Sequence, residues 1–302
     1  MASRVVHVDH HVRVVEPRSL QVMRTPALRA AGWTERGIRT AVAEGRLVRL
    51  RVGVYGAPGI PDACRAAAGA QGRVCCVTAL RLLGVFVLDQ GGTHVHIPRT
   101  ASRLPPLGGF ARVHRRTLLR TPHPDALLVE PIDAVADAVM CQGPRSAIAT
   151  IDSALHLGLL RIDELDELFA ALPRRCRRVR TLLDPRAESG AESLVRLILR
   201  SIGCSFDCQV EIDGVGRVDF LVDGWLVIEC DSRGFHADWD AQRRDRRRDL
   251  EAARRGLTTL RVIAEDVFWH PDAVREAIAG VLRTRRASLL QAQPAPRASR
   301  QR

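Results

Sequence analysis

Three carboxylates in the last third of the chain, Asp219, Glu229 and Asp231, fall in a stretch otherwise built of strand-forming apolar residues. It reads Arg217-Val-Asp-Phe-Leu-Val-Asp-Gly-Trp-Leu-Val-Ile-Glu-Cys-Asp231, with Gly234-Phe-His236 close behind. A carboxylate withdrawn from water needs a cation or hydrogen-bond donors to hold its charge. Hard carboxylate oxygens converging on one spot are the donor set of a divalent cation such as Mg²⁺. Structural ion pairs also occupy sheets, so the chemistry depends on whether the acids share a face.

Side-chain alternation addresses that question. Val218, Phe220 and Val222 point one way, Asp219 and Leu221 the other; in the second strand Leu226, Ile228 and Cys230 form an apolar face opposite Trp225, Val227, Glu229 and Asp231. Pairing the two apolar faces sets Asp219 across from Val227, on the face of Glu229 and Asp231. That pairing requires a three-residue loop, Val222-Asp223-Gly224, with Gly224 left-handed. A two-residue Asp-Gly turn would send Asp219 to the wrong face.

The elements that must position these acids follow a clear order in residues 187–283. A helix carries Glu192, Leu194, Val195, Leu197, Ile198 and Leu199; a strand runs near Cys208 to Ile212 and turns at Asp213-Gly214; the two acid-bearing strands follow. A helix from Asp240 to Arg255 stops at Gly256, a strand covers Thr258 to Ile263, and a last helix starts at Pro271. Helix, three strands, helix, strand resembles the core of the PD-(D/E)XK nuclease superfamily, in the branch related to very-short-patch-repair endonucleases. The resemblance rests on Glu192-Ser193, Gln209, Val218-Asp219-Phe220, Ile228-Glu-Cys-Asp231, His236, Arg244-Asp245, Arg248-Asp-Leu250, Gly256 and Leu260-Arg261.

The resemblance implies a Mg²⁺-dependent endonuclease, with Mn²⁺ as a possible substitute. Asp219 and Glu229 would hold the ion, the Cys230 carbonyl would add a donor, and Glu192 would orient a water. The superfamily's usual lysine is replaced by Asp231, and the whole chain has none: all 46 of its Lys and Arg residues are arginine. His236, able to take or give a proton near neutral pH, is the candidate for the vacant role. Ser232-Arg233-Gly234 departs from the branch, where glycine directly follows the acid. Arg244 and Arg248, one helical turn apart, are candidate clamps on the DNA backbone. Asp240 with Arg244 and Arg247 with Glu251 would instead be internal pairs. Cys204, Cys208, Cys230 and His236 form an alternative, zinc-type donor set.

Residues 21–58 hold a second unit. Thr25 to Gly32 and Thr34 to Gly45 read as two helices ended by glycine, with Thr34 an N-cap, and Arg46 to Tyr55 alternates as a hairpin. This outline is that of a winged helix. It resembles the N-terminal domain of AbiEi-type antitoxins at Leu28, Ala31-Gly32, Ile38, Gly45-Arg-Leu47, Arg49 and Gly53-Val-Tyr55. Arg36, Arg39, Arg49 and Arg51 are the expected DNA contacts; a purely packing role is the alternative.

Residues 59–185 mix helical and extended patterns. Helices are expected at 63–70, 77–83, 132–140, 145–157 and 162–172, and extended runs at 94–97 and 111–115. They resemble the middle of AbiEi-related proteins and carry no catalytic signature. His94 and His96 share a strand face and could bind a metal as a pair, with no third ligand evident from spacing. Arg174 to Arg180 reads as a basic linker or phosphate-facing surface, residues 1–20 as irregular, and 284–302 as a disordered basic tail.

With 302 residues, 46% of them hydrophobic, the chain can bury two or three cores. No apolar run reaches membrane-spanning length, the N-terminus lacks a signal-peptide pattern, and eight scattered cysteines form no disulfide framework. A cytoplasmic protein is expected. Its net charge of +12 suggests a polyanionic partner. The expected architecture is α/β (α+β): winged helix, mixed middle domain and restriction-endonuclease-like mixed sheet flanked by helices. The leading expectation is a metal-dependent DNA endonuclease. The alternatives are an antitoxin-type DNA-binding regulator with a degenerate nuclease module, or an interaction protein that binds a cognate toxin or itself.

Overall fold

The computed structural model describes residues 20–89, 91–102, 104, 106, 109–231 and 239–291, with the backbone alone for 240–242, 289 and 290. The chain is mixed α/β and divides into two compact units, residues 1–193 and 194–302. No helix of the described residues is long and apolar enough to cross a membrane.

The first unit opens with strand β1 (Met23–Arg24), helices α1 (Thr25–Ala30) and α2 (Glu35–Ala43), and strands β2 (Val48–Arg51) and β3 (Val54–Gly56). Thr34 caps α2, its hydroxyl accepting the Gly37 N–H at 3.0 Å. The chain turns between the helices at Gly32, whose φ of +87° favours glycine. Leu28, Ile38, Ala41 and Leu47 form the core, and the strands pair in the order β1-β3-β2. This piece is stitched into the rest of its unit. Val22 donates to the Asp125 carbonyl at 2.8 Å, Leu127 to the Leu20 carbonyl at 2.9 Å, and Arg24 Nε contacts Asp125 at 2.6 Å.

The remainder of the unit runs through α3 (Asp62–Gly69), β4 (Arg73–Val74), α4 (Cys76–Leu82), β5 (His94–His96), β6 (Arg112–His114), α5 (Pro131–Cys141), α6 (Pro144–His156) and α7 (Leu165–Ala171). Strand β5 pairs antiparallel with β4 and parallel with β6. Helix α5 is apolar nearly all round and is correspondingly buried. Its two acids, Asp133 and Asp137, are fully buried one turn apart, and Arg116 holds both at 2.7 and 2.6 Å.

Helix α8 (Gly190–Ile202) carries the division between the units. The second unit continues with β7 (Phe206–Ile212), β8 (Gly216–Val222), β9 (Leu226–Asp231), α9 (Trp239–Arg254), β10 (Thr258–Ile263), α10 (Ala264–Trp269) and α11 (Pro271–Gln291). Its sheet has the order β10-β9-β8-β7, antiparallel except for the parallel β9/β10 pair.

Three expectations need correction. The β8/β9 ladder sets Val222 opposite Leu226 and Leu221 opposite Val227, a register two residues from the expected one. The loop is three residues long but comprises Asp223, Gly224 and Trp225. Asp223 and Gly224 both take positive φ, and Trp225 N–H closes the turn on the Val222 carbonyl at 3.1 Å. The two-residue Asp-Gly turn therefore does form. Trp225, an extra residue ahead of the ladder, restores the face it would have lost. Second, α11 runs to Gln291, because Ala287 to Gln291 favours helix and the first proline comes only at Pro294. The expected disorder from 284 does not hold through 291. Third, residues 162–172 split into a 3₁₀ turn (Ile162–Glu164) and α7, and Arg174–Leu182 is 3₁₀ with Val179 buried rather than an open linker.

Candidate metal centre and nucleic-acid contacts

Asp219 lies one residue beyond the end of the regular ladder, where Phe220 faces Ile228. Val218 joins the core cluster of Val227 and Ala252, against which Leu221 also packs. Residues three apart cannot share a face of a regular strand, so the alternation breaks at Asp219. The aspartate carboxylate fills the break: its Oδ2 accepts the Cys230 N–H at 2.8 Å. Across the strand pair, Gln209 of β7 also departs from extended geometry, with φ of +54°.

Glu229 follows on β9, and its side chain is only 13% exposed. Burial, and then the charge of Asp219, push its carboxyl up to about 7, against the pull of Arg248 and Arg261. Arg248 of α9 reaches Glu229 Oε1 at 3.2 Å while donating to the carbonyls of Val215 at 2.9 Å and Arg217 at 2.6 Å. This arginine spans from helix to strand as a brace. Arg244, one turn earlier, is exposed.

Asp231, the third acid, takes a different course. It is half exposed and pairs with Arg261 of β10 at 3.2 Å. Arg261 also grips Asp249 of α9 with two nitrogens, at 2.9 and 3.4 Å. The expected convergence thus brings Asp219 and Glu229 together and leaves Asp231 in a separate ion-pair network. Arg261 and Asp249 had no assigned role in the sequence reading. A lone charge in the apolar run Thr258-Thr-Leu-Arg-Val-Ile263 was the available signal for Arg261.

Glu192 belongs to the first unit and is only 7% exposed. Its Oε2 accepts the Glu188 N–H at 2.8 Å, and its own N–H donates to Ser189 Oγ at 3.2 Å. These are contacts of a helix start, close to a capping box. His236 and the Ser232-Arg233-Gly234 loop lie outside the described residues, as does the Asp240 side chain proposed to pair with Arg244. Glu251 accepts from Arg254 and Arg255, both at 3.0 Å, in place of the expected Arg247. Among the described residues, Cys204, Cys208 and Cys230 belong to no group of three candidate ligands.

In the first unit Arg36 and Arg39 project from the exposed side of α2, and Arg49 and Arg51 from exposed positions of β2. None of the four forms an ion pair with a described residue, whereas their neighbours Arg29 and Arg46 pair with Glu35 and Glu44. Beside them Val52, at the hairpin tip, is 80% exposed. No family model matches the chain, and no curated protein matches it.

Proposed function

We propose that the second unit is a metal-dependent nuclease module that hydrolyses DNA phosphodiester bonds, and that the helix-turn-helix and hairpin of the first unit bind DNA through Arg36, Arg39, Arg49 and Arg51. The observation that carries the reading is the juxtaposed pair Asp219 and Glu229. One of the two keeps its proton to about 7 because it is buried beside the other. A divalent cation relieves such repulsion better than a proton does, and the donors are the hard oxygens it prefers. Asp219 and Glu229 would hold Mg²⁺ or Mn²⁺, with the Cys230 carbonyl as a third donor. The ion would supply Lewis acidity and lower the pKa of a water.

The chain's own residues do the rest. Glu229 would give up its proton to admit the ion. Arg248, beside that carboxylate, and Arg244, one turn away on the same helix, would offer guanidinium groups to phosphate oxygens. In a chain without lysine, Arg248 is the cation in contact with Glu229. His236 remains the proposed proton carrier.

A second reading has its own support. Arg248 on Glu229 and Arg261 on Asp231 already satisfy acids without any metal, as in a DNA-binding regulator with a degenerate module. Plasmid nicking with Mg²⁺ or Mn²⁺ separates the two. Wild type should nick, and Asp219→Ala should slow nicking by on the order of 10²-fold or more. Intact plasmid with wild type, or equal cutting by Asp219→Ala, leaves the binding reading alone.

A further inference from the structure

Four side chains far apart in sequence meet inside the first unit. Cys76 opens α4, His94 lies on β5, His114 on β6, and Cys141 ends α5. One sulfur or ring nitrogen from each falls within 4.8 Å of all the others. The parallel register sets His94 opposite Arg112 and His96 opposite His114, so the two cluster histidines stand one diagonal step apart on the same face.

Zinc bonds of about 2.3 Å to sulfur and about 2.0–2.1 Å to nitrogen define a tetrahedron with edges of about 3.3 Å between nitrogens and about 3.6 Å from nitrogen to sulfur. In the structure His114 Nε2 lies 3.3 Å from His94 Nδ1 and 3.8 Å from Cys141 Sγ. We propose that Cys76, His94, His114 and Cys141 form a closed Cys₂His₂ site for Zn²⁺. This inference is independent of the nuclease reading.

The surroundings suit such a site. Metal-bound histidines usually give their other ring nitrogen to a carboxylate, which fixes tautomer and orientation. His114 Nδ1 lies 3.4 Å from Asp137 Oδ1, and Arg116 Nε holds that same oxygen at 2.6 Å. Arg112 donates to Cys141 Sγ at 3.4 Å, a contact that favours thiolate. Cys76 is fully buried with φ of +54°, a strained backbone for a residue with a β-carbon.

His96 shares the sheet face, but its Nε2 is taken by the Arg116 carbonyl at 3.0 Å, which explains why His94 supplies the ligand. A rival set, Cys75, His114 and Asp137, also lies within reach. It offers three ligands rather than four, and its Asp137 already engages Arg116 and His114 through Oδ1, so the four-ligand set is preferred. Thiolate and imidazole donors select zinc over Mg²⁺, and four protein ligands leave no open position. The ion would therefore be structural, joining two helices to the parallel strand pair.

The test uses the full-length protein, reduced, stripped with a chelator and titrated with Zn²⁺ and with Co²⁺. Wild type should take up roughly one ion per chain, with the intense visible bands of tetrahedral cobalt and a thiolate-to-cobalt charge-transfer band. Cys141→Ser and His94→Ala should each weaken zinc binding at least roughly tenfold and alter the cobalt spectrum. Cys208→Ser should leave both unchanged, which excludes the cysteines of the second unit as the zinc donors. Both cluster variants keep the buried Cys76, and circular dichroism before titration checks their folding. No uptake by reduced wild type would overturn the proposal, as would wild-type affinity and spectrum in Cys141→Ser or a loss of binding in Cys208→Ser.

Discussion

Glu229 is the residue on which the proposed chemistry of the second unit turns, and its proton can be followed without any substrate. Its carboxyl is raised from 4.5 to about 7, so the folded state holds the proton more tightly than the unfolded chain does. Stability is therefore fullest below the unfolded value and falls as pH rises toward 7, by up to about 3 kcal/mol. Glu229→Gln should flatten that slope and raise the thermal midpoint at about pH 8, as read by calorimetry across a pH series. An unchanged slope would show that Glu229 ionises freely beside Asp219. Mg²⁺ should stabilise wild type more at about pH 8 than at about pH 5, because ion and proton compete for one carboxylate. The sequence made the Asp219 and Glu229 pair legible, since acids stand out in an apolar strand. The separate fate of Asp231 was not legible, because Arg261 reaches it from a strand that follows a whole intervening helix. The Cys76, His94, His114 and Cys141 cluster was equally hidden: its ligands come from four elements, and no local spacing announces them.

Element order was the most readable level. Helical and alternating periodicities placed α2, α9, β8, β9 and β10 within a residue or two of their observed bounds. Parity explains both the success and the slip at the acid hairpin. Burial forbids an odd shift of register, which would flip every side chain, yet tolerates an even one. Turn chemistry then decided the matter, because Asp-Gly is suited to positive φ at both positions and left Trp225 as the extra residue. Gly224, with φ of +74° and nothing near its would-be β-carbon, should tolerate alanine at a cost of about 1 kcal/mol from backbone strain alone. Thr34→Ala should cost about 1 kcal/mol through its lost cap on α2. Denaturant midpoints at unchanged slope would check both, and a neutral Thr34→Ala would show that the cap is idle.

At the scale of the molecule, a net charge of +12 carried wholly by arginine favours polyanions in general, so binding alone discriminates little. The salt dependence discriminates more. If Arg36 and Arg39 each neutralise a phosphate, Arg36→Ala with Arg39→Ala should lower the slope of log K against log salt by about 1.8. A parallel line of unchanged slope would place the contacts elsewhere. The stitching of residues 20–24 to 124–127 bears on a different question, the order of events during synthesis. Arg24 finds Asp125 a hundred and one positions later, so β1 has no neighbour on that side until the partner segment emerges. At roughly 5–20 residues per second, the helix-turn-helix waits on the order of 5–20 s beside the ribosome, its hairpin formed and its seam open. The part of the chain proposed to meet DNA is thus made first and completed late, and a nascent chain halted before Asp125 should leave it incompletely protected from hydrogen exchange.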